Sequence, residues 1–300
     1  MGYYERVFSK VDHRIMIVIM PLIGLLMLPF ALSIPLGMDF TGGTEVQILT
    51  TRTVSETQLV SALSPCAASQ VSASVRDIGG KDSIIIKTKA DMNKTCIDAG
   101  LQTLGFTDDE LRQIIPTIYK AELGKELLDQ GLKAIIIAGI LMSIVIFVAY
   151  RSFVPSLAVM QAALFDPIIA IGILSLTGFE LNLAGVAAML MLVGYSVDTD
   201  ILLTSKALRQ QNKTYAEKLN EAFPTGITMT TSAIAAMAAI LLVTSFVRMD
   251  TLHQIASVLI VGLFADMCTT WFTNAGMLEW YLRRHKSTKP SRFNFRMFRS

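Results

Sequence analysis

Three aspartates, Asp166, Asp198 and Asp200, stand in stretches otherwise built from Leu, Ile, Val, Ala, Met and Gly. The last two fall in the run Gly194-Tyr195-Ser196-Val197-Asp198-Thr199-Asp200-Ile201-Leu202-Leu203, which closes the apolar segment 183–203. A carboxylate is costly in hydrocarbon, so an acid at membrane depth is a functional candidate once its partner is named. No Lys or Arg interrupts the last four apolar segments. That absence favours a bound proton or Na⁺ over a fixed ion pair within the chain. The plainer reading is that the acids only accept hydrogen bonds from hydroxyls of neighbouring helices, with Thr228, Thr230, Thr231 and Ser232 as ready donors. Asp266 is a fourth candidate, deep if its helix continues to Trp280 and Arg283.

Helix arithmetic places these groups. Asp166 lies nine residues past the start of the segment 157–177, or about 14 Å at the usual helical rise. Asp198 lies five residues before the end of 183–203, or about 8 Å in. Antiparallel neighbours would bring the two to similar levels. Asp198 shares a helix face with Met191, Gly194, Tyr195 and Leu202, whereas Asp200 shares one with Ser196, Leu203 and Thr204. Two residues span about 200° of rotation, so these acids do not form one paired-carboxylate site. The small residues Gly185, Ala187, Ala188, Gly194 and Ser196 would let helices or water approach closely.

The elements that hold such acids are membrane spans. The chain has 300 residues, of which 52% are hydrophobic and 17% charged, too little charge for an ordinary soluble domain. Six segments reach spanning length: 15–36, 132–150, 157–177, 183–203, 227–247 and 252–272. The first is too long, and lacks the small-residue site, for a cleaved signal peptide. Arg6, Lys10 and Arg14 precede it, Arg151 follows the second, Lys206, Arg209, Lys213 and Lys218 follow the fourth, and a basic tail follows the sixth. All fall on one side, so both termini are expected in the cytoplasm of a multi-pass protein of the cell membrane. The basic tail suits anionic lipid at the bilayer surface better than nucleic acid. Pro21, Pro29, Pro35 and Pro167 predict kinks.

The expected fold is an α-helical polytopic bundle, one span plus five, with one α+β ferredoxin-like extracytoplasmic domain. Its divisions are 1–36 (cytoplasmic N-terminus and first span), 37–131 (outer domain), 132–282 (five-span bundle) and 283–300 (basic cytoplasmic tail). In the outer segment, 44–50 alternates like a half-buried strand. Ser55 and Gln58 have capping-box spacing for a helix over 55–63. Strands at 70–77 and 83–89 flank a Gly79-Gly80 turn, a helix covers 92–104, and a closing strand lies near 115–121 despite Pro116. The order β-α-β-β-α plus that strand predicts the ferredoxin-like unit. Residues 206–222 suggest a separate polar helix joining the fourth and fifth spans. Cys66 and Cys96 lie on the oxidising side and form either a disulfide or two buried thiols; Cys268 is expected in the core. Of the two sequons, Asn93-Lys94-Thr95 lies on the translocated side and Asn212-Lys213-Thr214 does not. The three His are dispersed without metal-ligand spacing, so neither a metal site nor a cofactor is expected.

Three ordered blocks resemble the SecD/SecF protein-export family. Gly37-Met38-Asp39-Phe40-Thr41-Gly42-Gly43-Thr44 is similar to the motif where that family's chain leaves its first span, with Gly37, Asp39, Gly42 and Gly43 as its marks. Ala121-Glu122-Leu123-Gly124-Lys125-Glu126-Leu127 resembles the segment by which the chain re-enters. Gly178-Phe179-Glu180-Leu181-Asn182-Leu183, continued by Gly194, Tyr195 and Ser196, resembles the fourth-span signature of the family's SecF branch, archaeal in type. The resemblance covers nearly the whole chain. It implies a non-enzymatic accessory subunit of the Sec machinery, working with SecD beside a SecYE-type channel on unfolded preproteins. It implies a pseudo-symmetric twelve-span unit related to proton-driven RND transporters, with ion flux moving the outer domains. By this likeness Asp166 matches a third-span Asp. Asp198 and Asp200 straddle the bacterial fourth-span Asp, here Thr199, and Met229 stands where the bacterial fifth span carries a base.

Other functions remain open on the sequence. An intramembrane aspartyl protease would use two acids on adjacent spans, but the expected Gly-x-Gly-Asp run is missing. A stand-alone RND-like transporter would need a second half, which this chain lacks as an internal repeat. A passive channel scaffold would need none of the acids.

Overall fold

The computed structural model describes residues 13–285 apart from short stretches at 51–53, 67–70, 79–80, 89–91, 109–110, 112–113, 115–116, 120, 210–212 and 248. Six helical segments are long and apolar enough to cross a membrane. They are α1 (His13–Leu32), then, beyond a small sheet domain containing two short helices, α4 (Ala121–Tyr150), α5 (Phe153–Leu176), α6 (Leu183–Arg209), α7 (Tyr215–Val247) and the last span, formed by α8 (Asp250–Cys268), a π-helical stretch (Thr269–Asn274) and α9 (Ala275–His285). The helices outrun the apolar stretches. Charged residues sit at their ends, where long side chains reach water while the backbone stays helical. Within the polar stretch 206–222, residues 206–209 therefore close α6 and residues 215–222 open α7. Buried Lys218 donates to the carbonyl of Ala207 (2.7 Å), tying these two ends together. The 131/132 boundary falls inside the unbroken α4. Pro21, Pro29 and Pro167 are inside helices, but Pro35 lies beyond α1, where its carbonyl accepts from the N–H of Leu181 (2.8 Å).

The sheet domain follows the first span. Its elements are β1 (Gly43–Thr50), α2 (Glu56–Leu63), β2 (Val71–Ile78), β3 (Lys81–Thr88), α3 (Lys94–Thr103) and β4 (Thr117–Tyr119). The sheet order is β2-β3-β1-β4, with every pairing antiparallel. Ser55 starts α2 with both bonds of a capping box: the N–H of Gln58 donates to Ser55 Oγ (3.3 Å) and the N–H of Ser55 to Gln58 Oε1 (3.2 Å). Alternation then does the rest. Val46, Ile48, Ile84 and Ile86 bury one sheet face against Leu59, Leu63, Ile97 and Leu101 of the two helices.

Residues far apart in sequence meet where this domain joins the bundle. The N–H of Gly37 donates to Leu181 O (2.7 Å), and the N–H of Leu183 donates to Asp39 Oδ2 (2.9 Å). Asp39 thus caps α6 from another part of the chain, placing a carboxylate where the helix dipole favours one. Gly42 and Gly43 take φ of 76° and 143°, the region that strains L side chains, and so turn the chain into β1. Gln254 of α8 brackets the same corner, accepting from Asn182 N–H (3.2 Å) and donating to Glu180 O (2.8 Å). A half-exposed pair, Lys87 of β3 and Asp250 of α8 (3.4 Å), also bridges sheet and bundle; such pairs contribute under about 1 kcal/mol. Asp39→Ala is expected to lower stability by about 1–2 kcal/mol. Asp39→Asn, which keeps the acceptor, should lose much less. Thermal unfolding of the detergent-solubilised chain distinguishes them, and equal losses would show that the cap is immaterial.

Candidate functional site

The acids converge where α5, α6 and α8 pack together. Small side chains bring the helices close: Ala162, Ala163 and Ala170 are buried on α5, Ala256 and Ala265 on α8. A Cβ at Gly262 would stand 2.4 Å from Leu192 Cδ2, so glycine sets the approach of α8 to α6. Into this contact project Asp166 from α5, Asp200 from α6 and Asp266 from α8, with 0%, 1% and 0% of their surface exposed. By helical rise Asp166 is about 20 Å from the start of α5 and Asp266 about 24 Å from the start of α8, so both lie near mid-bilayer depth.

Neutral donors hold each acid. Ser196 Oγ donates to Asp166 Oδ2 (2.8 Å), and Thr199 Oγ1 lies between two acceptors, Asp266 Oδ2 at 3.0 Å and the Ser196 carbonyl at 2.9 Å. Thr270 Oγ1 lies between two acceptors, Asp200 Oδ1 at 3.0 Å and Asp266 Oδ1 at 3.4 Å. Asn274 Nδ2 also donates to Asp200 Oδ1. Repulsion from Asp266 reaches both Asp166 and Asp200. Asp166 Oδ1, Asp200 Oδ2 and Asn274 Oδ1 are buried without a hydrogen bond, a costly condition in a protein interior. Among the described residues none of the acids has a salt-bridge partner. The chemistry available is proton exchange between Asp200 and Asp266 across the Thr270 hydroxyl, which can accept from one carboxyl as it donates to the other.

The spacing Asp266, Thr270, Asn274 repeats every fourth residue and could have been read as one helix face. The π-helical stretch through Thr269–Asn274 was not legible; its wider turn is a frequent mark of functional sites. The hydroxyls expected to serve the acids do not. Thr228 donates to Pro224 O, Thr231 to Ile227 O and Ser232 to Met229 O, while Thr230 Oγ1 is buried and unpaired.

Asp198 is not part of this cluster. It lies on the opposite, exposed face of α6, lining a groove of about 350 Å³ with Tyr195, Thr199, Met229, Thr230, Ser232, Ala233 and Leu263. Gly194 opens on that side, with no atom within 4 Å of its would-be Cβ. Gly37, Asp39, Gly42 and Gly43 belong to the junction with the sheet domain, one helix length from the acids. Cys96 is disulfide-bonded and Cys268 is a free thiol; the Cys66 side chain lies outside the described residues, as does the tail beyond 285. Among the described residues, no three His, Cys, Asp or Glu are arranged to hold a metal ion.

Comparison with known proteins bears on this arrangement. The family profile described as "Protein export membrane protein SecD/SecF, C-terminal" matches residues 107–284. The protein-export membrane protein SecF of Methanocaldococcus jannaschii is 36% identical over 93% of this chain and 99% of its own. That of Methanothermobacter thermautotrophicus is 51% identical over 55% of this chain; the match spans 59% of the relative's length. A crystal structure of SecDF, a translocon-associated membrane protein from Thermus thermophilus, superposes on 90% of this chain with a TM-score of 0.65. At 19% identity that likeness speaks to fold alone, and this chain spans only 38% of the solved one.

Proposed function

The chain belongs to the SecD/SecF family of protein-export membrane proteins, on its SecF side, and we propose from this that it is a multi-pass accessory subunit, not an enzyme, that promotes polypeptide export by the Sec machinery. It acts with SecD beside a SecYE-type channel on unfolded preproteins. Its sheet domain is the ferredoxin-like outer domain, a reading supported by the βαββαβ order and the antiparallel 2-3-1-4 sheet. Residues 37–131 work outside the membrane, the five-span bundle 132–282 inside it, and both termini with the basic tail 283–300 face the cytoplasm.

Export draws on an ion gradient through the bundle. The observation that carries this reading is the fully buried set Asp166, Asp200 and Asp266, joined by hydroxyls, with unsatisfied oxygens and no salt-bridge partner among the described residues. A static scaffold gains nothing from three mutually repelling acids in hydrocarbon. Proton binding and release changes their charge, and any change of charge alters how tightly α5, α6 and α8 can pack. The helices run from this site to the corner where Asp39 caps α6, so a shift of α6 is transmitted to the outer domain. Asp166 and Asp200 take the proton in turn with Asp266 between them.

Reconstituted vesicles containing the channel, SecD and this chain test the reading. Imposing a proton gradient, inside acid or inside alkaline, is expected to raise preprotein translocation only when this chain is present. An Na⁺ gradient alone should not. Translocation indifferent to both gradients would remove the motor role, and a response to Na⁺ only would change the ion.

A further inference from the structure

The triplet Asn93-Lys94-Thr95 has no part in export, yet it fits the pattern that N-linked sugar requires and the fold presents it for that use. Asn93 is the N-cap of α3, with extended backbone (φ −73°, ψ 133°). Asn93, Lys94 and Thr95 are all exposed. Thr95 N–H donates to Asn93 Oδ1 (3.4 Å), which caps the helix and engages the amide through its oxygen. Among the described residues neither Asn93 Nδ2 nor Thr95 Oγ1 has a hydrogen-bond partner, so the reacting nitrogen and the recognised hydroxyl are both open to solvent. The surroundings are open too. Ile97 and Leu101 lay α3 on the sheet face to which Ile84 and Ile86 point. Lys87 follows Ile86 on β3 and projects from the opposite face, where it meets Asp250 of α8. The triplet thus stands on the side of the sheet domain turned away from this contact with the bundle.

We propose that Asn93 is an N-glycosylation site, which takes an oligosaccharide from an isoprenoid-phosphate carrier in the membrane through a host transferase. Asn93 Nδ2 forms a bond to the anomeric carbon of the sugar as the bond from that carbon to the carrier's phosphate oxygen breaks. The phosphate keeps the electron pair, and Nδ2 releases one proton. The inference rests on one element of the export reading, the placement of residues 37–131 outside the membrane. Cys96, the residue after the triplet, is disulfide-bonded, and such bonds persist on the oxidising side of a membrane. The second sequon, Asn212-Lys213-Thr214, follows the fourth span and so faces the other compartment. It has the same residue pattern and no access to the transferase, which makes it an internal control. If capping α3 were the whole role of Asn93, Asp would serve there equally well.

Intact-mass measurement of the full chain, expressed in an archaeal host whose own surface proteins carry N-linked sugar, tests this. The parent is expected to exceed its sequence mass by one oligosaccharide. Asn93→Asp keeps the helix cap and removes the amide, so it should lose the whole excess while the chain still purifies as a folded, monodisperse protein. Thr95→Ala should lose the excess, Thr95→Ser should keep it, and Asn212→Gln should leave it unchanged. A parent at its sequence mass, an excess that survives Asn93→Asp, or one that disappears in Asn212→Gln would overturn the site. Ala99→Cys, at an exposed position on α3, separates this result from the export reading when treated with a membrane-impermeant maleimide. Labelling of intact cells together with an unmodified parent removes the site and leaves the outer placement standing. Labelling only after the membrane is opened removes both.

Discussion

Asp266→Asn is expected to cut the gradient-driven part of preprotein translocation at least about tenfold while the protein still folds and assembles. Asp266 stands between the other two acids. It accepts from Thr199 and Thr270, and its charge would repel both Asp166 and Asp200. Asn has the same shape, and its amide can accept from one hydroxyl and donate to the other, so packing of α8 against α5 and α6 survives. Removing one of three crowded acids relieves repulsion, which further protects the fold. What vanishes is the carboxyl that the proposed coupling places between Asp166 and Asp200. Thr199→Val is the useful contrast. It removes a single hydroxyl and leaves all three carboxyls, so translocation should fall only about two- to threefold, the effect of about one hydrogen bond. Translocation rates in vesicles with and without an imposed gradient distinguish the two. Full gradient dependence in Asp266→Asn would take the buried cluster out of the mechanism.

How much of this was legible in the sequence depends on the kind of physics involved. Acids in apolar segments stand out because hydrocarbon penalises them so heavily, and the opposed faces of Asp198 and Asp200 follow from helical rotation alone. The capping box at Ser55 and the two-residue hairpin step from Ile78 to Lys81 are local chemistry. The partners of the acids were not local. Thr228, Thr231 and Ser232 have carbonyls of their own preceding turn within reach and use them, the usual fate of hydroxyls inside a helix. Thr270 and Asn274 serve the acids because α6 and α8 pack closely, a fact that depends on Gly262 meeting Leu192, and the Thr199 hydroxyl is shared between Asp266 and the carbonyl of Ser196 in its own preceding turn. The π-helical stretch leaves no pattern in residue types. Helix ends were misjudged for another reason: charge marks where a membrane stops, not where a helix does. Hence 206–222 reads as a polar connector while the backbone of 206–209 belongs to α6 and that of 215–222 to α7.

Gly124→Ala is expected to destabilise the protein by about 3 kcal/mol, although Ala is the better helix former. The added Cβ would stand 2.2 Å from Asp39 O, 2.6 Å from Phe40 Cα and 2.8 Å from Phe40 O. All three are backbone atoms or fixed to them, so no rotamer change can make room. Either α4 must withdraw from the exit of the first span, or the turn that holds Asp39 over α6 must move. Both outcomes loosen the corner through which the sheet domain is tied to the acid-bearing helices. Gly139→Ala, fifteen residues further along the same helix, isolates this cause. Nothing lies within 4 Å of its would-be Cβ, so only helix propensity changes, and stability should rise by up to about 1 kcal/mol. Thermal unfolding of the two variants in one detergent should therefore shift in opposite directions. Equal shifts, or a Gly124→Ala protein as stable as the parent, would mean that α4 does not approach the first-span exit so closely and that this corner is not what ties the sheet domain to the bundle.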